Sequence, residues 1–361
     1  MKIKYYKILK YLYIFITLFG LLMIYSSSSV WSKYKYGNSY HYALMQMLFI
    51  IISFIIYKII NKININDIYK YSNKLFIFSC FLLILVAIPG IGKEMNGSRS
   101  WFGIGPFGIQ PSELAKISTI IFTSKFLSNN KIYYFKDFSS ILFTSILVFG
   151  LIMLEPDLGT SVIIIITCIA MIFISGAKKK YFFIMFFFFI LAFILLVFIA
   201  PYRMKRITSF INPWSDPLDS GFQIIQSLYA IGPSGLLGRG LFNSIQKHFF
   251  LPEPQTDFIF SIIAEELGIV GVILVLLFYT LFIYFGIKAS LNTNSLFKKY
   301  LSFGIVFSVG FQAILNLMVA TSIVPITGVT LPFISYGGSS FLSSSLMYFI
   351  LLNIIKEDAI M

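Results

Sequence analysis

The run from Tyr181 to Ala200 contains no charged residue. About 20 consecutive apolar residues are enough to cross a bilayer as an α-helix. The chain around this run is equally apolar, because its mean hydropathy is +0.87 and 58% of its residues are hydrophobic. A soluble core has no need of such a stretch, so the sequence indicates an integral membrane protein.

Apolar runs of this kind recur along the whole chain, separated by polar clusters. They predict an all-α integral membrane protein with ten transmembrane helices in a single polytopic domain, residues 1–361. The first run could pass for a signal peptide, but it lacks a convincing small-x-small cleavage site and is interpreted as an uncleaved helix. The predicted helices lie near residues 11–30, 42–60, 74–91, 112–128, 138–154, 159–176, 181–200, 258–287, 300–322 and 337–355.

The basic residues are distributed unevenly between the two sides of this topology. Connectors on the side of the N-terminus hold eighteen Lys residues, and those on the opposite side hold nine Lys or Arg residues. By the positive-inside rule, both termini are predicted to be cytoplasmic. The Lys residues are dispersed over short loops, which suits anionic membrane lipids and argues against a nucleic-acid partner.

One connector is much longer than the others. Residues 201–257 form a predicted extracellular loop between helices seven and eight, rich in Pro, Gly and Trp. A loop of this length is usually functional or disordered, and its aromatic and aliphatic content argues against disorder. The amphipathic stretch Phe222–Ala230 is predicted to lie on the membrane interface.

Acidic residues gather where this loop enters helix eight, in "LPEPQTDFIFSIIAEELG". Ionised groups near hydrocarbon are costly, so Asp257, Glu265 and Glu266 are candidates for a functional site. Asp257, Ser261 and Glu265 follow at i, i+4 and i+8 and predict a polar stripe on one helix face. Alternatively, Asp257 or Thr256 only caps the helix, and the two glutamates only pair with a buried base.

A second cluster is "NGSRSWFGIGPFGIQPSELAK", residues 96–116. Arg99 and Trp101 suggest a site for an anionic headgroup with an aromatic platform, although Trp101 also fits an ordinary interfacial anchor. Ser112 is predicted to cap helix four. Glu113 and Lys116 lie at i and i+3, where they meet on one helix face, either as a substrate site or as a self-satisfied ion pair.

Two further outer segments carry candidate residues. In "LEPDLGTS", Glu155 and Asp157 occupy a tight turn, where both could simply be solvated. In "LPFISYGGSSFLSSS", Gly337, Gly338 and Ser339 open helix ten, and helix-start N–H groups can bind phosphate. A flexible re-entrant turn explains the same glycines. Two His and two separated Cys residues predict neither a zinc site nor a disulfide framework.

These residues leave two functional classes open. An acid for proton transfer, basic groups for phosphate and an aromatic platform for a sugar fit an enzyme acting on a lipid-linked glycan. Intramembrane carboxylates and a Glu–Lys pair equally fit a proton-coupled transporter or lipid flippase.

The clusters taken together resemble the SEDS family of bacterial cell-wall proteins, in matching order and over almost the whole chain. The segments that carry the resemblance are "GSRSWFGIGPFGIQPSELAK", "EPDLGTS", "GFQIIQSLYAIGPSGLLGRGLFNSIQKHFFLPEPQTDFIFSIIAEELG" and "PITGVTLPFISYGGSS". Within that family, "NSIQKHFFLPEPQTDF" is more similar to the FtsW and SpoVE branch than to the RodA branch.

The resemblance implies a peptidoglycan glycosyltransferase that polymerises lipid II, with undecaprenyl pyrophosphate as the leaving group. It implies that Asp257 is the general base and that Trp101, Glu113 and Lys116 face the substrate. It also implies a class B penicillin-binding protein and division proteins as partners, and a role in division, sporulation or elongation. A divalent cation, Mg²⁺ or Mn²⁺, is expected without identifiable ligands.

Overall fold

The structure is a computed structural model that describes residues 2–95, 98–104, 107–199, 204, 208–219 and 221–360. Residues 201–203, 205–207 and 220 of the predicted outer loop, and Ala200 at the predicted end of helix seven, lie outside the described residues. The described helices are α1 (Lys2–Tyr36), α2 (His41–Ile60), α3 (Ile65–Ala87), α4 (Pro111–Asn129), α5 (Phe135–Met153), α6 (Leu158–Ile174), α7 (Lys179–Ile199), α8 (Phe222–Ile231), α9 (Ile259–Leu291), α10 (Leu296–Ala320) and α11 (Gly338–Ile360).

Hydropathy and length identify membrane-spanning helices within this set. Among the described residues, seven helices are long and apolar enough to cross a membrane, namely α1, α2, α3, α5, α9, α10 and α11. The chain is therefore a multi-pass membrane protein with a predominantly helical fold. The helix α6 is apolar but shorter, at 17 residues.

The predicted helix positions differ most from the structure at the polar ends of α1 and α3. Helix α1 begins at Lys2 instead of near residue 11, and α3 begins at Ile65 instead of near residue 74. The Asn64 side chain accepts a hydrogen bond from Asn66 N at 2.9 Å and so starts α3 before its apolar part begins. The polar first turns of α1 and α3 contain few apolar residues, so an apolar run does not predict them.

A small antiparallel sheet between α3 and α4 was not predicted from the sequence. Its strands β1 (Lys93–Met95), β2 (Ser98–Ile104) and β3 (Phe107–Ile109) pair in the order β1-β2-β3. Trp101 lies so close to Gly108 that a Cβ added there would be 2.7 Å from the indole Cε3 atom. The close approach of β2 and β3 at this point therefore depends on glycine.

Helices α4, α10 and α11 form the centre of the bundle. In α10 and α11, 67% and 72% of the residues in an apolar stretch of 18 residues are buried. In the other five candidate spans, 22–39% of such a stretch is buried. Helix α4 packs against α3, α6, α10 and α11. Side chains on the facing surfaces of these central helices are shielded from lipid, so polar groups there must be satisfied within the protein.

The long connection between α7 and α9 is partly helical in its described part. It contains one turn of 3₁₀-helix, Pro213–Ser215, followed by α8, which covers the predicted amphipathic stretch. Ser227 in α8 donates a hydrogen bond to Ala320 O at 2.7 Å and also contacts the Ser261 hydroxyl at 2.6 Å. Helix α8 is thereby attached to the start of α9 and the end of α10.

Candidate functional site

Asp257 lies immediately before α9, and its backbone is held from two sides. The buried Asn316 side chain in α10 donates to Asp257 O at 2.8 Å and to Val329 O at 2.7 Å. Ser335 donates through its hydroxyl to Thr256 O at 2.6 Å. These bonds fix the backbone at Asp257 against the segment 329–336, which precedes α11.

Asp257 is half-buried and is not the N-cap residue of α9. That position belongs to Phe258, so the alternative in which Asp257 or Thr256 is the N-cap residue is wrong. Gly328, with φ +75°, faces the carboxylate, because a Cβ added to it would lie 4.0 Å from Asp257 Oδ2. The backbone beside the acid thus takes a conformation that suits glycine.

Lys116 and Glu113 form the ion pair that their spacing predicts. Lys116 Nζ lies 2.8 Å from Glu113 Oε2 and donates to Gln312 Oε1 at 2.8 Å. The Lys116 side chain is only 1% exposed. Gln312 in turn donates to Thr330 O at 3.1 Å. The pair is therefore part of a buried network that joins α4, α10 and the segment before α11.

The Asp257 and Lys116 networks are neighbours. Gln312 and Asn316 are four residues apart on α10, so they lie on one face about one turn, or roughly 5 Å, apart. They bind the carbonyl groups of the consecutive residues Val329 and Thr330. One face of α10 and one short segment thus position both the half-buried acid and the buried base.

The turn "LEPDLGTS" contributes Asp157 to the same region. Asp157 Oδ1 accepts a hydrogen bond from Thr160 N at 3.0 Å and caps α6. Its other oxygen, Oδ2, accepts from Gln110 Nε2 at 3.0 Å and from Ser112 Oγ at 3.4 Å. Ser112 does not cap α4 as predicted, because Gln110 is the N-cap residue and Pro111 opens the helix.

Of the two acids of this turn, Glu155 is shielded from water and Asp157 is half-buried. Glu155 is fully buried, and burial together with the nearby charge of Asp157 raises the pKa of its carboxyl to about 9. Burial also raises the pKa of Asp157, although its bonds with Thr160 act in the opposite direction. The simple interpretation of both as solvated acids is wrong for Glu155.

Arg99 and Trp101 lie on β2, at the outer rim of this region. Arg99 Nη2 is 3.5 Å from Glu94 Oε2 across the β1–β2 pair, and both groups are partly exposed. The end of β3 connects to the start of α11, because Gln110 N donates to Ser339 Oγ at 3.1 Å. The sheet and the "GGSS" segment therefore meet at one place.

The glycines of "GGSS" serve close packing at the start of α11. A Cβ added to Gly338 would collide with the ring of Phe49, whereas Gly337 has more room. The Ser339 hydroxyl is occupied by Gln110 N, as described above. The role predicted for Gly337, Gly338 and Ser339 in binding phosphate stays a prediction.

Glu265 and Glu266 lie further along α9, and both are buried by the long connection. Glu265 accepts hydrogen bonds from Ser244 Oγ at 2.5 Å and Ile245 N at 2.9 Å. Glu266 pairs with Lys247 Nζ at 3.1 Å and accepts from Ser26 Oγ. The two acids hold residues 244–247 against α1 and α9, and their predicted contact with substrate stays a prediction.

Sequence reasoning did not single out Lys247, Gln312 or Asn316. The signal for Lys247 was available, since two acids buried side by side require cations close to them. Gln312 and Asn316 are uncharged residues within an apolar helix, and only their i, i+4 spacing hinted at a shared face.

No cluster typical of a metal site is present in the described ranges. Among them, no group of three or more His, Cys, Asp or Glu side chains could hold a metal ion. A divalent cation therefore stays a prediction without protein ligands.

Comparison with known proteins agrees with the family predicted from the motifs. Residues 6–360 match the model of the FtsW, RodA and SpoVE family, described as "Cell cycle protein". The chain belongs to this family.

Relatives from bacteria match this chain over nearly its full length. The chain is 45% identical to the stage V sporulation protein E of Bacillus subtilis over 338 residues, covering 93% of this chain and 92% of the relative. It is 40% identical to the probable peptidoglycan glycosyltransferase FtsW of Coxiella burnetii, over 94% of this chain and 92% of that one.

Solved structures show the same fold for this family member. A chain from a peptidoglycan synthase complex that coordinates polymerization and crosslinking matches with a TM-score of 0.82 and 28% identity, over 97% of each chain. The rod shape determining protein RodA of Thermus thermophilus matches in fold with a TM-score of 0.73.

Proposed function

We propose that this chain is a peptidoglycan glycosyltransferase that polymerises lipid II into glycan strands at the outer face of the cell membrane. Its similarity to proteins named stage V sporulation protein E and probable FtsW supports septal or spore cell-wall synthesis over a RodA-type role in elongation. The observation that carries the proposal is the half-buried residue Asp257, whose backbone is held by Asn316, one helical turn along α10 from the Gln312 that binds the buried Lys116.

The proposed topology has ten membrane crossings with both termini in the cytoplasm. Helices α1–α7 and α9–α11 each cross once, and the connection between α7 and α9 lies outside the cell. Seven of these helices are by themselves long and apolar enough to cross a membrane. Helix α4 carries charged groups, but Lys116 is buried between α4 and α10 and is bound to Glu113 and Gln312. The charges of this pair are therefore not exposed to lipid.

In the proposed reaction, Asp257 acts as a general base on the 4-hydroxyl of the acceptor N-acetylglucosamine. Its proton passes to the carboxylate while the oxygen attacks the anomeric carbon of the donor N-acetylmuramic acid, and undecaprenyl pyrophosphate leaves with its bonding electrons. A positioned base contributes about 10²–10⁴-fold to such a step. The bonds from Asn316 and Ser335 keep the acid's backbone in place during this step.

Positive charge near the departing pyrophosphate stabilises it. Arg99 is partly exposed at the rim and is proposed to supply this charge directly, with Trp101 beside it as a platform for the sugar. Lys116 is buried and bound to Glu113 and Gln312, so its proposed role is to position the side chains of Glu113 and Gln312. Gly337, Gly338, Ser339, Glu265 and Glu266 are proposed to shape the substrate site.

A divalent cation is also proposed, as Mg²⁺ or Mn²⁺. Mg²⁺ is commonly held by one or two carboxylates together with substrate phosphates and water. The described residues offer no larger cluster, so the pyrophosphate itself would provide most of the ligands. When bound, the ion would neutralise charge on the leaving group.

The proposed partner is a class B penicillin-binding protein, a transpeptidase, together with division proteins. The structural neighbour from a complex that coordinates polymerization and crosslinking supports such an association.

The second candidate function is that of a lipid II flippase or proton-coupled transporter, favoured by the buried acids and bases. Purified protein, with and without the transpeptidase, is incubated with labelled lipid II in detergent, where no translocation is needed. A polymerase yields glycan strands under these conditions. A transporter yields none, but moves lipid II across the membrane of a proteoliposome.

A further inference from the structure

Helix α9 is interrupted at Gly268, which has φ 62° and ψ −153°. The part after the break, Ile269–Leu291, is about 34 Å long at 1.5 Å per residue and can span the hydrocarbon of a bilayer alone. Exposed apolar side chains begin directly after the break, whereas residues 259–266 are buried by protein. In its first half, the exposed apolar residues are Ile269, Val270, Ile273, Leu276 and Leu277. This onset of apolar exposure is what is expected at the edge of the hydrocarbon, on the side of the long connection.

The segment 235–240, "GLLGRG", packs against this break and replaces its missing helical hydrogen bonds. Arg239 N donates to Glu265 O at 2.8 Å, and Ile269 N donates to Gly235 O at 3.0 Å. A Cβ added to Gly238 would collide with the backbone of α9, so the two chains touch closely. The backbone of Arg239 is thus fixed at the level where the hydrocarbon ends.

The Arg239 side chain is only partly used by the protein. Its Nε atom is 3.4 Å from Glu265 Oε1, and the side chain is 42% exposed, while that of Glu265 is 2% exposed. Glu265 also accepts hydrogen bonds from Ser244 and Ile245. Within the described part of the chain, the two terminal nitrogens of Arg239 have no acceptor.

Exposed apolar residues lie close to Arg239 in the chain. Leu236 and Leu237 are 72% and 76% exposed, and Gly238 alone separates Leu237 from Arg239. A partly exposed cationic fork close in the chain to exposed leucines matches a lipid that joins a phosphate to an apolar chain.

From this arrangement we infer that Arg239 binds the phosphate of a lipid in the outer leaflet, with Leu236 and Leu237 against its hydrocarbon chain. The fork of the guanidinium donates two hydrogen bonds to the phosphate oxygens. An isoprenoid diphosphate and an ordinary anionic phospholipid share this chemistry. The isoprenoid source deepens the proposed function and rests on it, as does the assignment of this face as the outer one.

The test measures lipid binding to purified full-length protein in detergent by native mass spectrometry, without turnover. The probes are undecaprenyl diphosphate, dioleoylphosphatidylglycerol and undecaprenol, which has no phosphate. The variants are Arg239→Gln, Arg239→Lys and the control Lys33→Gln. Lys33 is an exposed cation at the end of α1, which reaches the same connection through contacts of Trp31 and Tyr34 with Phe249.

Arg239→Gln is expected to weaken binding of a phosphate-bearing probe by about tenfold or more, because one charge-assisted contact is lost. Arg239→Lys keeps the charge that pairs with Glu265 and should fold normally, yet it should bind more weakly than wild type because the fork is missing. Undecaprenol binding and the Lys33→Gln variant should be unaffected.

A loss confined to undecaprenyl diphosphate identifies an isoprenoid site, and an equal loss for phosphatidylglycerol identifies a general phospholipid site. Unchanged binding of both phosphate probes to Arg239→Gln, or an equal loss of undecaprenol, overturns the inference. If wild-type protein makes no glycan from lipid II, the proposed function fails while this binding result still stands.

Discussion

Lys116 and Glu113 show how single residues in this bundle depend on each other. Lys116 is 1% exposed and Glu113 6% exposed, and their nitrogen and oxygen atoms are 2.8 Å apart. A charge in such a place is tolerated only while its partner remains, because removing one partner leaves the other charge buried and unpaired.

Lys116→Ala is therefore expected to lower the free energy of unfolding by about 3–5 kcal/mol, the usual cost of breaking a buried pair. The double variant Glu113→Gln, Lys116→Met removes both charges and should cost less than the single one. Thermal denaturation of the purified variants in detergent measures whether the single variant is less stable than the double variant. Equal and additive losses in the single and double variants would argue instead for a direct substrate role of each group.

At the scale of single elements, apolar runs predicted where the long helices lie. A helix that crosses lipid needs a continuous apolar stretch, so α2 and α5 were located to within a few residues. The polar start of α3 and the strands β1–β3 were missed, since neither depends on a long apolar run. The break at Gly268 was also missed, because a glycine within an apolar run does not reveal its backbone angles.

The candidate site was predictable only in part for the same reason. The pair of Glu113 and Lys116 follows from spacing on one helix, which the sequence displays directly. The attachment of Asp257 to Asn316 joins residues 59 positions apart, and no local pattern contains that information. The burial of Glu265 and Glu266 by residues 244–247 likewise depends on how the long connection folds back.

The last turn of α11 illustrates how one element holds others together. Lys298 at the start of α10 lies 2.9 Å from both Glu357 Oε2 and Asp358 Oδ1. Glu357 also accepts a hydrogen bond from Ile65 N at 3.0 Å. These contacts join α11 to α10 and to the start of α3 at the end of the bundle that is proposed to face the cytoplasm.

Lys298→Met leaves Glu357 and Asp358 without their cation. The free energy of unfolding should therefore fall by about 3 kcal/mol, the lower end of the usual cost of breaking a buried ion pair. The matched control is Lys299→Met, since Lys299 is half-buried and forms no ion pair within the described part of the chain. The midpoint of thermal denaturation should be lower than wild type for Lys298→Met and unchanged for Lys299→Met. Equal midpoints would show that the ion pairs contribute nothing to stability.

For the whole molecule, the distribution of charge predicts the orientation in the membrane. In the predicted ten-helix topology, the side that holds both termini has the entire net charge of +14, and the opposite side together with Lys116 has ten bases and ten acids. Single cysteines introduced as Pro233→Cys, Lys178→Cys and Asn292→Cys all lie at exposed positions between helices. With Cys80 and Cys168 replaced by Ser, each reports the side of one connection.

An impermeant maleimide is expected to label Pro233→Cys in intact cells, and to label Lys178→Cys and Asn292→Cys only after permeabilisation. Labelling of Pro233→Cys only after permeabilisation would reverse the proposed orientation. That result would also move Asp257 to the cytoplasmic face, since it lies beside the same long connection.

The most direct test of the proposed mechanism replaces the carboxylate of Asp257 and measures the polymerisation of lipid II in detergent. Asp257→Asn keeps the size of the side chain and the backbone bonds with Asn316, so the protein should fold normally, but the amide cannot accept the proton. Asp257→Glu should restore little activity, because it moves the carboxylate by about a bond length, where roughly an ångström matters. The account predicts that glycan formation by Asp257→Asn falls by about 10²-fold or more. Long glycan strands made by Asp257→Asn at near the wild-type rate would contradict it.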